Sequence, residues 1–303
     1  MSVDRPGRRG IRPSGAGPDG RSAKRPQGAS GQGPAARVGT NWHDGAPAEG
    51  RIVKPDQRQR ELRVFGLNAC LAVFNRRPAA IRKVWLVEAR LPALREVLRD
   101  CAARRVGYRV VAPDDLERLT GSQHHEGVCF EVLRAEPPAL ADLLAGLPAG
   151  PAQLVMLDGV GNPHNLGATL RSAAHFGVAA VLAEGLRPPL LSGAACRVAE
   201  GGAEHVPLLR VDTAGSAQLR DAGFLAVATV VRGGQSLHRA ALPQRILWLL
   251  GAEGPGLSPA RQAGAAMTVH IPGSGAVDSL NVAAAAAVLF GEHLRQHPAP
   301  GIA

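Results

Sequence analysis

Residues 157–178 read LDGVGNPHNLGATLRSAAHFGV and join a strand, a polar loop and a helix. The first residue closes an apolar run, LVML, which predicts a buried strand. The loop carries two asparagines and a histidine, and the helix is expected to begin at about Leu166 and to be capped by Gly177. Asn165 is a candidate N-cap of this helix, and Arg171 lies along it. This order of elements predicts one unit of an α/β sheet with a ligand near the strand end.

The same pattern continues towards the end of the chain. Four further apolar segments, AAVLAE, FLAVATVV, ILWLLG and TVHIP, predict buried strands, and NVAAAAAVLFGEHLRQ predicts an alanine-rich last helix. Buried strands separated by helices predict a mostly parallel sheet covered on both faces. Two strands are followed by glycine-bearing loops, GAEGPGLS at residues 251–258 and PGSGAVDSLN at residues 272–281. Because ligands bind at the carboxyl ends of such strands, the three loops predict one shared site.

A smaller alternation of helices and strands precedes this region. GLNACLAVFNRRP predicts a helix, KVWLVE, YRVVA and GVCFEVL predict strands, and LPALREVLRDCAARRVG predicts an amphipathic helix that ends at Gly107. We therefore expect a disordered basic tail at residues 1–60 and a small α/β domain at residues 61–136. A linker with one short helix is expected at residues 137–150, before a larger domain at residues 151–303.

The net charge of +10 is concentrated in the tail. Residues 1–60 hold 12 Lys and Arg against 5 Asp and Glu, whereas residues 61–150 hold 13 against 11 and residues 151–303 hold 10 against 9. A basic, flexible arm suits a phosphate-rich partner, because each neutralised phosphate releases counterions. A tail that only keeps the protein in solution is the alternative. If the tail binds RNA, its deletion should weaken RNA binding and flatten the salt dependence of that binding.

Composition excludes several other classes of protein. No apolar run approaches the roughly 18 to 20 residues of a membrane span, and the first residues lack the apolar segment of a secretory signal. The four cysteines are far apart and form no CxxC pair, which indicates reduced thiols in a cytoplasmic protein and neither a metal site nor a disulfide framework. A Walker loop is excluded because no lysine follows Lys83. The GxGxxG and GxSxG patterns are also absent from the three loops.

Three segments, NPHNLGATLRSAAHFGV, LLGAEGPGLS and IPGSGAVDSLNVAAAAAVL, occur in this order and spacing. They resemble the three motifs of the SpoU (TrmH-like) RNA ribose 2′-O-methyltransferases of the SPOUT class, across residues 151–295. Residues 61–133 resemble the small N-terminal substrate-binding domain of many such enzymes. The resemblance implies a C-terminal parallel-sheet domain with a deep trefoil knot, preceded by a small α/β substrate-binding domain.

The resemblance also implies an activity and its partners. It implies methylation of a ribose 2′-hydroxyl in rRNA or tRNA with S-adenosyl-L-methionine as cofactor, and a homodimer formed through the knot domain. The implied catalytic residues are Arg171, Asn165, Glu253, Ser279 and Asn281. The implied cofactor-binding residues are Gly251, Ile271 and Leu280, and no metal is implied. A guanidinium with a pKa above about 12 is a poor base, so we interpret Arg171 as a phosphate clamp that polarises the ribose hydroxyl.

Each of these residues also has a purely structural interpretation. Arg171 can be a surface arginine, Asn165 a helix cap, and Asn281 a cap of the last helix. Asn162, Gly273 and Ala283 differ from the residues common in the family, which together indicates a divergent branch. The alternative function is an RNA-binding or ribosome-assembly factor with a residual cofactor pocket. Methylation of a base or a small molecule by the same fold is a third interpretation.

Overall fold

The computed structural model describes residues 60–184 and 191–298. The predicted basic tail falls almost entirely on residues 1–59, which lie outside the described residues. Within the described part of the chain, no helix is both long and apolar enough to cross a membrane.

The first sheet has four strands in the order β1-β4-β2-β3. Its strands are β1 Glu61–Phe65, β2 Ile81–Leu86, β3 Gly107–Val110 and β4 Val128–Leu133, and its helices are α1 Leu67–Arg76, α2 Arg95–Ala103 and α3 Pro113–Thr120. β4 pairs antiparallel with β1 and β2, whereas β3 runs parallel to β2. Apolar side chains of β1, β2 and β4 pack against α1 and α2 in one buried core.

One boundary in this region was wrong. The helix predicted to end at Gly107 ends at Ala103, and Gly107 is the first residue of β3. Arg105 adopts a left-handed backbone with φ of 58°, which turns the chain out of the helix before the glycine is reached. The amphipathic pattern continues past this turn, because Val106 still packs against the core of the small sheet.

The second sheet has seven strands in the order β7-β6-β5-β10-β8-β11-β9. Its strands are β5 Ala152–Asp158, β6 Ala180–Glu184, β7 Leu208–Val211, β8 Leu225–Thr229, β9 Gln235–Ser236, β10 Arg245–Gly251 and β11 Met267–His270. The helices are α4 Leu140–Ala145, α5 Pro163–His175, α6 Gly193–Ala199, α7 Thr213–Asp221, α8 Pro259–Ala263 and α9 Val282–Gln296. Each pairing of neighbouring strands in this sheet is parallel.

Both faces of this sheet are covered. Val155 and Leu157 of β5 belong to a core shared with α5 and α9. The alternate residues, Leu154 and Met156, belong to a second core on which α4 and α7 pack. This alternation confirms the predicted parallel sheet with helices on both faces. A trefoil knot remains a prediction from the family resemblance.

Candidate active site

A cavity lies at the carboxyl ends of three neighbouring strands, β8, β10 and β11. Its volume is about 1080 Å³, and its walls come from the ends of these strands, the loops after them and the start of α9. Ligand pockets commonly measure roughly 300–1,000 Å³, so the cavity can accept a cofactor-sized molecule. The three residues expected to bind the cofactor, Gly251, Ile271 and Leu280, all line it. The loops after β10 and β11 therefore meet at one place, as their sequences predicted.

Asn281 joins the three sequence motifs. Its Oδ1 accepts a hydrogen bond of 2.9 Å from the backbone N–H of Ala283, which caps α9. Its Nδ2 donates to Oε1 of Glu253 at 2.7 Å and to Oδ1 of Asn165 at 2.9 Å. The same side chain thus caps the last helix, as expected, and fixes the first two motifs at the cavity edge. The structural and the functional interpretation of Asn281 are compatible.

Asn165 is buried, and it does not cap its helix. α5 begins at Pro163, and its N-cap is Asn162, whose Oδ1 accepts a 2.9 Å hydrogen bond from the backbone N–H of His164. The expectation that Asn165 caps a helix beginning at Leu166 was wrong because proline is well suited to the first helical position. Asn165 therefore lies within the first turn, where its amide reaches Asn281.

Glu253 and Ser279 are exposed residues of the second and third loops, and both border the cavity. Gly251 ends β10 and precedes a tight turn in the second loop, closed by a 2.9 Å hydrogen bond from the N–H of Gly256 to the carbonyl oxygen of Ala252. A Cβ at Gly251 would lie 2.1 Å from the backbone carbon of Gly256. The glycine is therefore required by the loop's own backbone, whatever the cavity binds.

Arg171 lies apart from the cavity. It is exposed on α5, and it is absent from the residues that line the cavity. Six residues of α-helix separate it from Asn165, an axial distance of about 9 Å and a net rotation of about 240°. The two side chains therefore leave α5 in different directions, and the described part of one chain does not bring all five expected catalytic residues together.

Sequence reasoning missed one pair beside the cavity. Arg232 follows β8 and donates from Nη2 to Oδ1 of Asp278 in the third loop at 2.7 Å. Both side chains are strongly exposed, so this ion pair adds little stability, but it connects two walls of the cavity. Single exposed charges in loops carry no sequence pattern by which the pair could have been found.

Cysteine-based catalysis and metal binding gain no support from the described residues. The four cysteines are buried, and burial raises the pKa of the Cys129 and Cys196 thiols to about 12. These thiols stay protonated at neutral pH and are poor nucleophiles and poor metal ligands. Within residues 60–184 and 191–298, no group of three or more His, Cys, Asp and Glu side chains could hold a metal ion.

Comparison with known proteins decides the family. The SpoU rRNA Methylase family model matches residues 152–291, and a model described as RNA 2′-O ribose methyltransferase substrate binding matches residues 63–138. A 23S rRNA (guanosine-2′-O-)-methyltransferase, RlmB of Nitrosomonas europaea, is 34% identical over 77% of this chain and 91% of its own. The chain belongs to the SpoU methylase family.

Other known proteins are similar over most of the chain. An uncharacterized tRNA/rRNA methyltransferase, YfiF of Escherichia coli O157:H7, is 39% identical over 80% of this chain and 70% of its own. The crystal structure of the SpoU methyltransferase AviRb from Streptomyces viridochromogenes, in complex with the cofactor AdoMet, covers 79% of this chain and 91% of its own. The two share 25% identity with a TM-score of 0.66. The predicted family, its α/β fold and its use of S-adenosylmethionine for RNA ribose methylation are confirmed.

Proposed function

We propose that this protein methylates the 2′-hydroxyl of a ribose in ribosomal RNA, and that the cavity beside Asn281 holds S-adenosylmethionine. The observation that carries this proposal is the junction of Asn165, Glu253 and Asn281 at the edge of a cofactor-sized cavity. Relatives named as 23S rRNA (guanosine-2′-O-)-methyltransferases favour a guanosine of the large-subunit RNA over a tRNA nucleotide.

The residues around the cavity fit this cofactor. Leu250, Ile271 and Leu289 supply apolar surface, while the backbone of the second and third loops supplies polar groups. Apolar surface suits an adenine ring, and backbone donors and acceptors suit its ring nitrogens and the ribose hydroxyls. When bound, the cofactor supplies a methyl group on a positively charged sulfur. The protein must then place a ribose oxygen in line with that methyl group.

Positioning is the main catalytic task that the chain performs. Holding two reactants in line can lower a barrier by roughly 7–11 kcal/mol. We assign Arg171 to the RNA backbone, where its guanidinium fork can grip a phosphate and polarise the 2′-hydroxyl. The hydroxyl proton passes to an RNA phosphate oxygen or to water, because a guanidinium does not accept it. Glu253, Ser279 and Asn281 shape the cavity edge at which the ribose arrives.

We further propose that the active unit is a homodimer. Arg171 does not border the cavity of its own chain, so a single chain leaves the proposed site incomplete. A second copy packed against the cavity can supply its own Arg171. This arrangement agrees with the family resemblance, which implies knot domains packed together with a site completed across the interface.

The domain division proposed from the sequence assigns separate tasks. Residues 61–136 bind RNA, residues 137–150 link the domains, and residues 151–303 carry out methyl transfer in the cytoplasm. The short helix of the linker, α4, packs its leucines on the large sheet and so anchors the linker there. The basic residues 1–60 add affinity for RNA phosphates.

A map of ribose methylation at nucleotide resolution tests the proposal. Total RNA from a strain that lacks this protein is compared with RNA from the same strain given the wild-type protein or the Arg171→Ala variant. We expect one mark in 23S rRNA to return with the wild-type protein alone. A mark that returns in tRNA would overturn the ribosomal assignment. If no mark changes while the protein still binds RNA, the assembly-factor alternative is favoured.

A further inference from the structure

Two short helices join the small sheet to the helix that carries Arg171. They are α6 and the 3-10 helix Gly202–Glu204, and together we call them the bridge. On one side the bridge contacts β1 and α1 of the small domain, and on the other side it contacts α5. Cys196 of α6 is 2% exposed and belongs to the core of the small domain. The bridge is therefore packed into both parts of the molecule.

A charged clamp holds the bridge to the small domain. Arg77, which follows α1, donates from Nε to Oε2 of Glu204 at 2.6 Å and from Nη2 to Oε1 at 2.8 Å. The Glu204 side chain is only 7% exposed, and the same arginine also donates from Nη1 to the carbonyl oxygen of Leu133 at the end of β4. A bidentate pair shielded from water is held in a single geometry. Asn68 adds a 2.7 Å hydrogen bond from Nδ2 to Oε2 of Glu200.

Backbone contacts leave the bridge little room to move. A Cβ at Gly193 would lie 2.2 Å from the carbonyl oxygen of Arg63 in β1. A Cβ at Gly202 would lie 2.7 Å from the carbonyl oxygen of Leu170 and 3.0 Å from Cα of Arg171. The bridge thus touches the backbone of the small domain at one end and the backbone beneath Arg171 at the other. Interfaces packed this closely transmit displacement instead of absorbing it.

We infer that the small domain, the bridge and α5 form one rigid RNA-handling body, and that Arg77 and Glu204 are positioning residues for Arg171. The inference rests on the proposed function, in which Arg171 grips the RNA. The small domain and the Arg171 of the same chain then contact the same RNA molecule in a fixed relative position. In the proposed dimer, this body delivers the ribose to the cavity of the other copy.

Hydrogen–deuterium exchange of the purified full-length protein tests the rigid body without any assay of activity. The variants are Glu204→Ala, Arg77→Ala and the double substitution. The matched control is Asp221→Ala, which removes an exposed carboxylate at the end of α7, outside the small domain and the cavity. We expect amides of α5 near Arg171 to exchange about tenfold faster in both single variants, with little further change in the double variant, because the two residues act as a pair.

Two exchange results would overturn the inference. One is unchanged exchange in α5 when Glu204 is replaced. The other is a uniform increase in β5, β10 and α5 together, which would indicate a general loss of stability with no specific coupling to Arg171. Both results are readable even if the wild-type protein proves to methylate no RNA, so failure of the proposed function and failure of the bridge remain distinguishable.

Methyl transfer supplies the second readout, normalised to the fraction of protein that binds S-adenosylmethionine. We expect Glu204→Ala to lower kcat by about 10- to 100-fold with cofactor affinity unchanged, because small misplacements of reacting groups have effects of this size. Asp221→Ala should retain the wild-type kcat. An unchanged kcat in Glu204→Ala would contradict a positioning role. A decrease in kcat that is accompanied by an equal decrease in S-adenosylmethionine affinity would contradict it as well.

Discussion

Asn281 shows how one amide can serve both the fold and the chemistry. Its oxygen caps α9, while its nitrogen donates to Glu253 and Asn165, so both N–H groups and one oxygen lone pair are used. An amide can do this because it combines two donors with an acceptor on one planar group. An aspartate at this position would retain the helix cap, but it would place a second carboxylate against Glu253. The residue type is therefore specified by the cavity edge as well as by the helix.

Replacement of Arg171 by lysine tests the geometry of the proposed phosphate clamp. The charge is retained, but the planar fork of donors is lost, and a bidentate grip on a phosphate cannot be re-formed by an ammonium. We expect Arg171→Lys to lower kcat/KM by about 100-fold or more, with S-adenosylmethionine affinity unchanged, since Arg171 is assigned to the RNA backbone and does not line the cavity of its own chain. Single-turnover kinetics and isothermal titration would measure the two effects. Near-native turnover in this variant would rule out a bidentate contact between Arg171 and an RNA phosphate.

Protonation of His293 opposes folding. His293 is 2% exposed, and burial, followed by repulsion from His297, lowers its pKa from 6.5 to about 4. Its Nε2 lies 3.1 Å from the carbonyl oxygen of Pro243 and 3.2 Å from that of Gln244, so the neutral ring donates there. Because the unfolded chain takes up this proton at a higher pH, the free energy of unfolding should fall by up to about 3 kcal/mol between pH 6.5 and about 4.

Urea unfolding at several pH values measures this effect. The His293→Gln variant should show a flatter decline than the wild-type protein below pH 6.5, whatever its stability at neutral pH. The exposed His124→Gln variant is the control and should keep the wild-type slope.

The carboxyl group of Glu292 titrates in a lower pH range. Hydrogen bonding from Arg295 lowers its pKa to about 2, so its contribution to the free energy of unfolding is lost only below about pH 4.5. Equal slopes in the wild-type and His293→Gln proteins would exclude His293 as the source.

At the scale of elements, the alanines of α9 let this helix pack closely on its neighbours. Ala286 is fully buried in the core shared with α5, while Ala284, on the same helix, is exposed. We expect Ala286→Leu to lower the free energy of unfolding by about 1–3 kcal/mol, because extra methylenes strain a filled core. Ala284→Leu, the matched control, should change it by less than about 0.5 kcal/mol. Thermal and urea unfolding would compare the two, and equal effects would contradict close packing at Ala286.

Strands with a clear apolar run and the alanine-rich last helix were predictable from the sequence, whereas β7 and α6 were not. β5, β8, β10 and α9 were all anticipated, because an apolar run of four or more residues, or a longer helical pattern, identifies an element. β7 has four residues and α6 has seven, and neither carries enough of a period to be assigned from its own sequence. Such elements are stabilised by packing against their neighbours in the fold. α6 in particular is packed against α5 and against β1, which lies more than a hundred positions before it in the chain.

At the scale of the whole molecule, subunit complementation tests whether the site is shared between two chains. Arg171→Ala and Asn281→Ala are each expected to be inactive. In a mixed dimer, the cavity of the first variant meets the intact Arg171 of the second, which restores one site in two. Random exchange should therefore recover about a quarter of the wild-type activity, since half of the dimers are mixed.

Size-exclusion chromatography and methyl-transfer assays of the two proteins, alone and after co-refolding, would measure this recovery. The control is the double variant Arg171→Ala, Asn281→Ala mixed with wild-type protein. If the site is shared between chains, a mixed dimer of these two proteins holds no intact site, so only dimers of two wild-type chains are active. No recovery on mixing, in protein that is demonstrably dimeric, would place Arg171 and the cavity of one chain in the same site.

The sequence by itself determined the family, the parallel sheet and the three loops. Each of these depends on patterns within a short stretch of chain, such as apolar strands, glycine turns and the order of the motifs. Tertiary structure decided which residues meet. Asn281 and Asn165 are 116 positions apart, and Arg77 and Glu204 are 127 apart, yet both pairs are in contact, whereas Arg171 lies away from the cavity. Local patterns specify elements, but only the packing of distant elements fixes the distances between their side chains.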